Sequence, residues 1–355
     1  MSTIKEIARR ANVSIGTIDR VIHGRGRVSA KTEESVRRII EEIGYKPNIF
    51  AKHLRLGRVF VFGVVMPKPA QDGLYWALPT AGVVRAGREL KTQRVEIRFF
   101  YYDKYSVSSV ARVRNDVMQA GLDGLLIAPV LSRIFEDFLA GLPPALPYVL
   151  FDSFIPKADY VSYIGQDAFQ SGILSARLMH LLVPQPGTLA VLRVLPEDYH
   201  IDDRVRGFVS YCRQSGCGHN VEVFEINTHW GAEARNRVFS RIVGREGLRG
   251  VFVTNASTHQ IAEFLRKRNT ERRVHVIGYD LVDENVRLLR EGAIDFLISQ
   301  RPERQGFLGI QALFRRVVLN EAVEQTIMMP IDIIARENVD YFEVENGSSD
   351  FRRKK

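Results

Sequence analysis

Residues 4–55 read IKEIARRANVSIGTIDRVIHGRGRVSAKTEESVRRIIEEIGYKPNIFAKHLR, and the spacing of their apolar residues predicts three short capped helices. Thr3 with Glu6 three residues later makes a capping box, so the first helix begins at Ile4 and presents Ile4, Ile7, Ala8 and Ala11 on one face. Asn12 and Val13 end it. Ser14 caps a second helix running to about His23, with Val13, Ile18, Val21 and Ile22 as its buried side, and Gly24 closes that helix where a left-handed backbone costs little. Ser29 precedes a third helix from about Ala30 to Glu42, which buries Val36, Ile39, Ile40 and Ile43 before Gly44. Such a trihelical unit has a small core and leaves one face of the second helix to solvent.

That face carries Ile15, Gly16, Thr17, Asp19 and Arg20. A second helix so placed fits a DNA major groove, where Arg20 can bond the O6 and N7 of a guanine and Ile15 can touch a thymine methyl. Thr17, Arg25, Arg27, Lys31 and Thr32 suit phosphate contacts that position the unit without reading sequence, and Thr3 and Ser14 stand beside them at the helix starts. The plainer reading is a solvated polar face. Charge favours the first: residues 1–58 hold 13 Lys/Arg against 6 Asp/Glu, and Arg352–Lys355 add four more basic residues, out of a net +9 for all 355. The rest is close to neutral, as expected when one end of a chain meets a polyanion.

The segment that follows, YKPNIFAKHLRLGR (45–58), completes a pattern that resembles the head of the lac repressor and galactose repressor family over some fifty residues, including a YxPN-xx-A-xx-L hinge. The resemblance implies a hinge helix that folds only when two subunits pair on DNA, with Leu54 wedging into the minor groove and Asn48, Ala51 and Lys52 beside it. Such an apolar wedge kinks a duplex by unstacking a base step. An isolated peptide of this length forms no stable helix, so folding coupled to binding would act as a switch. Three positions depart from the family pattern: Ile15 and Gly16 where many relatives are polar, and Asp19 where they carry serine. Gly16 weakens the helix and Asp19 repels phosphate.

From Val59 on, apolar runs alternate with amphipathic segments, which predicts an α/β body of parallel strands covered by helices. Candidate strands are 60–66, 96–102, 124–128, 148–151, 188–195, 221–226, 250–254, 274–279 and 296–299. Nine strands suit two doubly wound subdomains with a ligand at the crevice facing their C-terminal ends. The expected organisation is a helix-turn-helix domain (1–46), a hinge or linker (47–58), a ligand-binding domain of two interleaved subdomains (59–340) and a polar basic tail (341–355).

The body also resembles, more loosely, the ribose-binding-protein-like core shared by periplasmic sugar-binding proteins and lac repressor relatives. Its landmarks are Gly165-Gln166-Asp167, Arg204-Val205-Arg206-Gly207-Phe208, Thr254-Asn255, Gly278-Tyr279-Asp280, Gln300 and Ala335-Arg336-Glu337-Asn338. By that resemblance Arg204, Asn255, Asp280 and Gln300 contact a ligand. The chemistry agrees, because a polyol needs the acceptors of a carboxylate, the fork of an arginine and amides that do both. Tyr75 and Trp76 supply faces for a sugar ring, while Asp103 and Asp152 lie just past strand ends. Several have a plainer alternative: Asp280 as a turn cap, Trp76 as core, Asn255 and Gln300 as partners of strand-end backbone, Arg204 as solvated surface; His200, close before Arg204, faces either the cleft or solvent. An aromatic-lined cleft also suits a nucleobase.

No GxGxxG or GxxxxGK[ST] loop follows a strand, and no nucleophile elbow or HExxH is present, so neither a cofactor nor catalysis is expected. Cys212 and Cys217 read as reduced thiols without the partners of a zinc site. The N-terminus lacks the apolar run of a secretory signal and nothing approaches a membrane span, which predicts a cytoplasmic protein. The expected partners are duplex DNA at a pseudo-palindromic site, a small polar effector such as a sugar, and a second copy of the chain. The rival readings are an architectural DNA-binding protein with a ligand-free dimerisation body and a sugar-binding protein without a regulatory role.

Overall fold

A computed structural model describes residues 4–23, 26, 28–43, 58–196, 198–227, 229–268 and 273–345. The chain divides into two units, Met1–Arg58 and Val59–Lys355. In the first, helices α1 (Ile4–Ala11), α2 (Ile15–His23) and α3 (Ala30–Glu42) follow the expected bounds. Asn12 takes a left-handed φ of 50° that ends α1. Ser14 Oγ accepts the Thr17 N–H at 3.1 Å and Ser29 Oγ accepts the Thr32 N–H at 3.2 Å, so each serine satisfies a helix-start donor. Ile7, Ala8, Ile18, Val21, Val36 and Ile39 are buried against one another, with Ile22, Ile40 and Ile43 packed at the margin. Glu6 pairs with Arg9 and Arg10; Thr3, its expected capping partner, lies outside the described residues.

The second unit begins at β1 (Phe60–Pro67), whose eight residues are almost wholly buried, the mark of a central strand covered on both faces. A first sheet contains β1, β2 (Val95–Tyr102), β3 (Gly124–Ile127), β4 (Tyr148–Phe151), β5 (Ser162–Gly165) and β11 (Thr326–Met328), in the order β11-β5-β4-β3-β1-β2 and all parallel. A second contains β6 (Thr188–Leu195), β7 (Asn220–Asn227), β8 (Leu248–Val253), β9 (His275–Tyr279), β10 (Phe296–Ser299) and β12 (Asp332–Ile334), in the order β12-β10-β9-β8-β6-β7. Only β12 is antiparallel among these pairings. All nine expected strands are present within two residues of their expected ends. The short β5, β11 and β12 were not expected: β5 (SYIG) is not an apolar run, and β11 and β12 have only three residues each.

The helices are α4 (Ala77–Glu89), α5 (Val107–Gln119), α6 (Ser132–Ala140), α7 (Ala168–Leu182), α8 (Tyr199–Gln214), α9 (Ala232–Val243), α10 (Thr258–Arg268), α11 (Asp283–Arg290), α12 (Pro302–Leu313) and α13 (Val339–Glu345). The chain crosses between the two lobes three times: after β5, where α7 joins α8; after β10, where α12 returns to pack on α4; and between β11 and β12. Gln166 gathers these crossings. Its Nε2 donates to Ser299 O at 3.1 Å and to Pro330 O at 2.8 Å, one carbonyl from each of the other two.

The two helix pairs lie unusually close. A methyl group on Gly172 would overlap the Arg204 carbonyl, and one on Gly207 would overlap the Phe169 carbonyl. Gly82 and Gly306 do the same for α4 and α12. We expect Gly207→Ala to lower stability by ~1–3 kcal/mol through forced separation of α7 and α8. Gly231→Ala, at a site with open space around it, should stay within ~0.5 kcal/mol. Urea denaturation of the two variants beside the wild type makes the comparison, and equal midpoints would remove the close-packing account.

Candidate functional site

On the first unit, Ile15 is 48% exposed, and Gly16, Asp19, Arg20 and Lys31 are also open to solvent. Thr17 and Thr32 are half-buried, and each bonds its capping serine: Thr17 Oγ1 lies 3.0 Å from Ser14 Oγ, and Thr32 Oγ1 2.7 Å from Ser29 Oγ. Both threonines, and Ser14, therefore hold helix starts in place whatever else they touch. Thr3, Arg25, Asn48, Ala51, Lys52 and Leu54 lie outside the described residues.

In the second unit a cleft lies between the lobes, on the strand-end side of both sheets. Its lining includes Asp72, Tyr75, Trp76, Lys104, Asp152, Asp198, His200, Arg204, Asn255, Asp280 and Gln300, around about 430 Å³ counting the part open to solvent. Asp152 follows β4 and Asp280 follows β9, strands third from the same end of their respective sheets, β11 and β12 being the ends compared. Both aspartates are buried, and both hold a left-handed φ, 67° and 66°. Such a conformation is uncommon outside glycine and persists only where surroundings impose it. At Asp152 the cause is visible: its N–H bonds Ile164 O at 3.1 Å and Gln305 Oε1 at 2.9 Å.

Arg204 enters from α8 and is 1% exposed. Its Nη1 donates to Thr254 O at 2.7 Å and its Nη2 to Gln300 Oε1 at 3.0 Å, while the guanidinium sits 3.8 Å above the Tyr279 ring. Gln300 in turn donates Nε2 to both Asp280 carboxylate oxygens, at 3.2 and 3.3 Å. Tyr75 OH donates to Asp152 Oδ1. Asp198 Oδ1 accepts from Ser153 Oγ and faces His200 Nδ1 at 2.7 Å. Two buried polar atoms in this ring, Arg204 Nε and Asp198 Oδ2, have no hydrogen-bond partner among the described residues. Buried groups of that kind carry a cost unless something else satisfies them.

Burial dominates the electrostatics. It raises the Asp152 carboxyl above the usual carboxylate value, with His200 and Tyr75 pulling the other way. It pushes Asp280 up to about 7, against the opposing pull of Arg204 and with a further push from the Asp152 charge. The Tyr75 phenol is driven well above its ordinary value, by burial first and then by Asp152 and Asp280.

The structure therefore brings together Tyr75, Trp76, Asp152, Arg204, Asn255, Asp280 and Gln300. Trp76 and Tyr75 pack edge to face at 5.0 Å, and Trp76 Nε1 donates to Asp72 at 2.9 Å. Asn255 lines the cleft while its Oδ1 accepts the Ser257 N–H at 2.9 Å. Asp103 is not part of the lining. It holds the loop after β2, accepting from Gln71 Nε2 at 2.8 Å and from the Tyr105 N–H at 3.0 Å. Its neighbour Lys104 turns inward instead and makes a buried ion pair with Asp72 at 2.6 Å. Sequence reasoning missed Asp72, Lys104 and Asp198, and left His200 open. Asp198 had a signal, an acidic residue two positions before a helical histidine, and Asp72–Lys104 had none, since the pair joins two different loops.

Residues 62–320 match the model described as periplasmic binding protein domain, and residues 3–48 match that of bacterial regulatory proteins, lacI family. The ribose operon repressor of Lactococcus lactis is 21% identical over 345 residues, 96% of this chain and 98% of that protein. A xylose/arabinose-binding protein of Sulfolobus acidocaldarius is 23% identical over 246 residues, which are 64% of this chain and 59% of the relative's length. Among solved structures, a candidate LacI transcriptional regulator from Bacteroides fragilis superposes with a TM-score of 0.75 at 27% identity, covering 80% of this chain and 99% of that one. The chain belongs over residues 62–320 to the family of periplasmic binding protein domains, and its residues 3–48 form a domain of the lacI family of bacterial regulatory proteins.

The raised Asp280 value has a consequence for stability. Between the ordinary 3.8 and about 7 the folded chain keeps a proton that the unfolded chain has released. Stability contributed by this group therefore falls as pH rises through that window. Asp280→Asn should flatten the fall, so that its melting temperature drops less than the wild type's between about pH 5 and about pH 8. Parallel thermal melts across that range test it, and identical pH profiles would mean that Asp280 titrates normally.

Proposed function

We propose that this chain is a cytoplasmic transcription regulator that binds a pseudo-palindromic DNA operator as a homodimer and responds to an uncharged sugar held in the cleft. The observation that carries the effector half is the pair of unsatisfied buried atoms, Arg204 Nε and Asp198 Oδ2, in one polar ring with Asp152, Asp280 and Gln300. A sugar hydroxyl donates and accepts, so adjacent hydroxyls satisfy both atoms together. Tyr75 and Trp76 offer the apolar surface that a ring face needs.

Charge selects among sugars. Asp72, Asp152, Asp198 and Asp280 line the cleft against Lys104 and Arg204, and Lys104 is already paired with Asp72. A phosphate ester or sugar acid would meet carboxyl groups whose burial already disfavours charge on Asp152 and Asp280, at a desolvation and like-charge cost. The names of the Lactococcus and Sulfolobus relatives, a ribose operon repressor and a xylose/arabinose-binding protein, point the same way. In the cleft Ser153 donates to Asp198 and not to His200, so these residues do not form a serine–histidine nucleophile pair. No helix of the described residues is long and apolar enough to cross a membrane.

On the DNA side, Arg20 reads a base edge, Ile15 packs beside it, and Lys31 and the threonines hold phosphates. Closing of the cleft biases whether paired heads, with Leu54 as wedge, can seat on the operator. By linkage, operator and effector must change each other's affinity by one common factor.

A thermal-shift screen of free pentoses and hexoses, their phosphate esters, sugar acids and nucleobases tests the effector. Free sugar at ~100 times its dissociation constant should add ~2.7 kcal/mol, and Asp280→Ala should abolish the shift. Stabilisation by phosphate esters or nucleobases alone would overturn the reading. Separately, Arg20→Ala should cost ~1–3 kcal/mol of operator binding and relax preference at one base pair. Binding titrations on operator variants measure this, and a uniform loss on every sequence would demote Arg20 to a phosphate contact.

A further inference from the structure

Away from the cleft, at the opposite, N-terminal edge of the second sheet, three side chains with metal-binding atoms converge. His180 stands near the C-terminal end of α7, and Cys217 and His219 lie in the turn between α8 and β7. From spacing alone, Cys217 had no partners. The fold provides them by running α7 and α8 side by side, which brings the end of one helix to the turn that leaves the other.

The geometry is close to that of a bound divalent ion. His180 Nδ1 and His219 Nε2 face each other at 3.4 Å, and the ligand atoms of all three residues lie within 4.8 Å of one another. Two imidazole nitrogens each ~2.0–2.1 Å from one zinc at a tetrahedral angle stand about 3.4 Å apart. A hydrogen bond between the rings explains the approach less well, since such bonds cluster at ~2.7–3.2 Å. Cys217 is buried, with its Sγ donating to Cys212 O at 3.4 Å, a bond that is given up when the thiol proton leaves, while both histidines are half-buried.

A second observation concerns the far side of a ring. His219 Nδ1 is buried without a completed hydrogen bond among the described residues, with the backbone of Val183 and Gly187 beside it. Metal-bound histidines use one nitrogen for the ion and aim the other at backbone or carboxylate, and that is the orientation His219 has.

We infer that His180, Cys217 and His219 form a binding site for zinc or a similar borderline divalent ion, which clamps the ends of α7 and α8 to the start of β7. Binding requires the thiol proton to leave, so Cys217 binds as the thiolate and one proton is released to solvent. Water completes a tetrahedron of two nitrogens and one sulfur. Because α8 also carries Arg204, the clamp would fix one end of the helix whose other end enters the cleft.

The test uses the full-length chain, free of any affinity tag, in a non-thiol reductant that keeps Cys212 and Cys217 from pairing. Cobalt(II) titration should show one equivalent bound with a tetrahedral ligand-field spectrum and a thiolate-to-cobalt charge-transfer band. His180→Ala and Cys217→Ser should each weaken binding at least ~tenfold. Uptake that survives either substitution overturns the site. As a check that needs no variant, one equivalent of zinc should raise the melting temperature of the wild type and slow alkylation of Cys217. Failure of both overturns the inference however the variants fold.

Discussion

A guanidinium cannot be buried alone. Arg204 is 1% exposed in the second unit, and the surrounding chain is arranged around that fact. Removing such a charge from water costs several kcal/mol unless acceptors meet it, and the pair that results adds little net stability. Thr254 O, Gln300 Oε1 and the Tyr279 ring supply the direct contacts, and Asp280 reaches it through Gln300. Those acceptors come from three different strand ends, so the strands of the second sheet must keep register for the arginine to be tolerated at all. Asp280 bears a burial cost of its own: desolvation pushes its carboxyl up to about 7 even against the pull of Arg204. A side chain so expensive to place makes physical sense at a recognition site, where a ligand contributes to its satisfaction.

The same reasoning explains why the lobes are joined as they are. Three crossings meet at Gln166, whose amide bonds Ser299 and Pro330 carbonyls, and Gln305 links Asp152 on one lobe to Gln300 at a crossing, through bonds of 2.9 and 2.8 Å. Backbone in such places is buried and must still be hydrogen-bonded, which long amide side chains accomplish while allowing small rotations. Cleft-lining residues on both lobes are therefore tied to the crossings. A ligand that prefers one lobe arrangement biases the crossings directly, which is the requirement for any switch.

Legibility in the sequence followed length and locality. The helices of the first unit were readable to the residue because Ser14, Ser29 and Asn12 act within four positions of themselves, and their bonds depend on nothing distant. Strands of the body were readable wherever four or more apolar residues ran together, as in β1 and β6, and unreadable at β11 and β12, which have three residues each. Within the site, Asp152, Arg204, Asp280 and Gln300 stood out because each directly follows a strand or lies on a motif-bearing helix. Asp103 was misplaced by one residue in effect: the strand end was found, but which of Asp103 and Lys104 turns inward is set by Asp72 on another loop.

By itself the sequence determined the class of fold, the helix boundaries of the head and the polar character of the cleft, because caps, periodicities and strand-end residues are local physics that any chain context preserves. Tertiary structure alone decided the rest. It chose the partners of Arg204, the left-handed geometry of the matched Asp152 and Asp280, the buried Lys104–Asp72 pair and the meeting of His180 with Cys217 and His219. Each of these joins residues from separate elements, and no spacing along a chain encodes a contact whose distance is set by how two lobes and their helices pack.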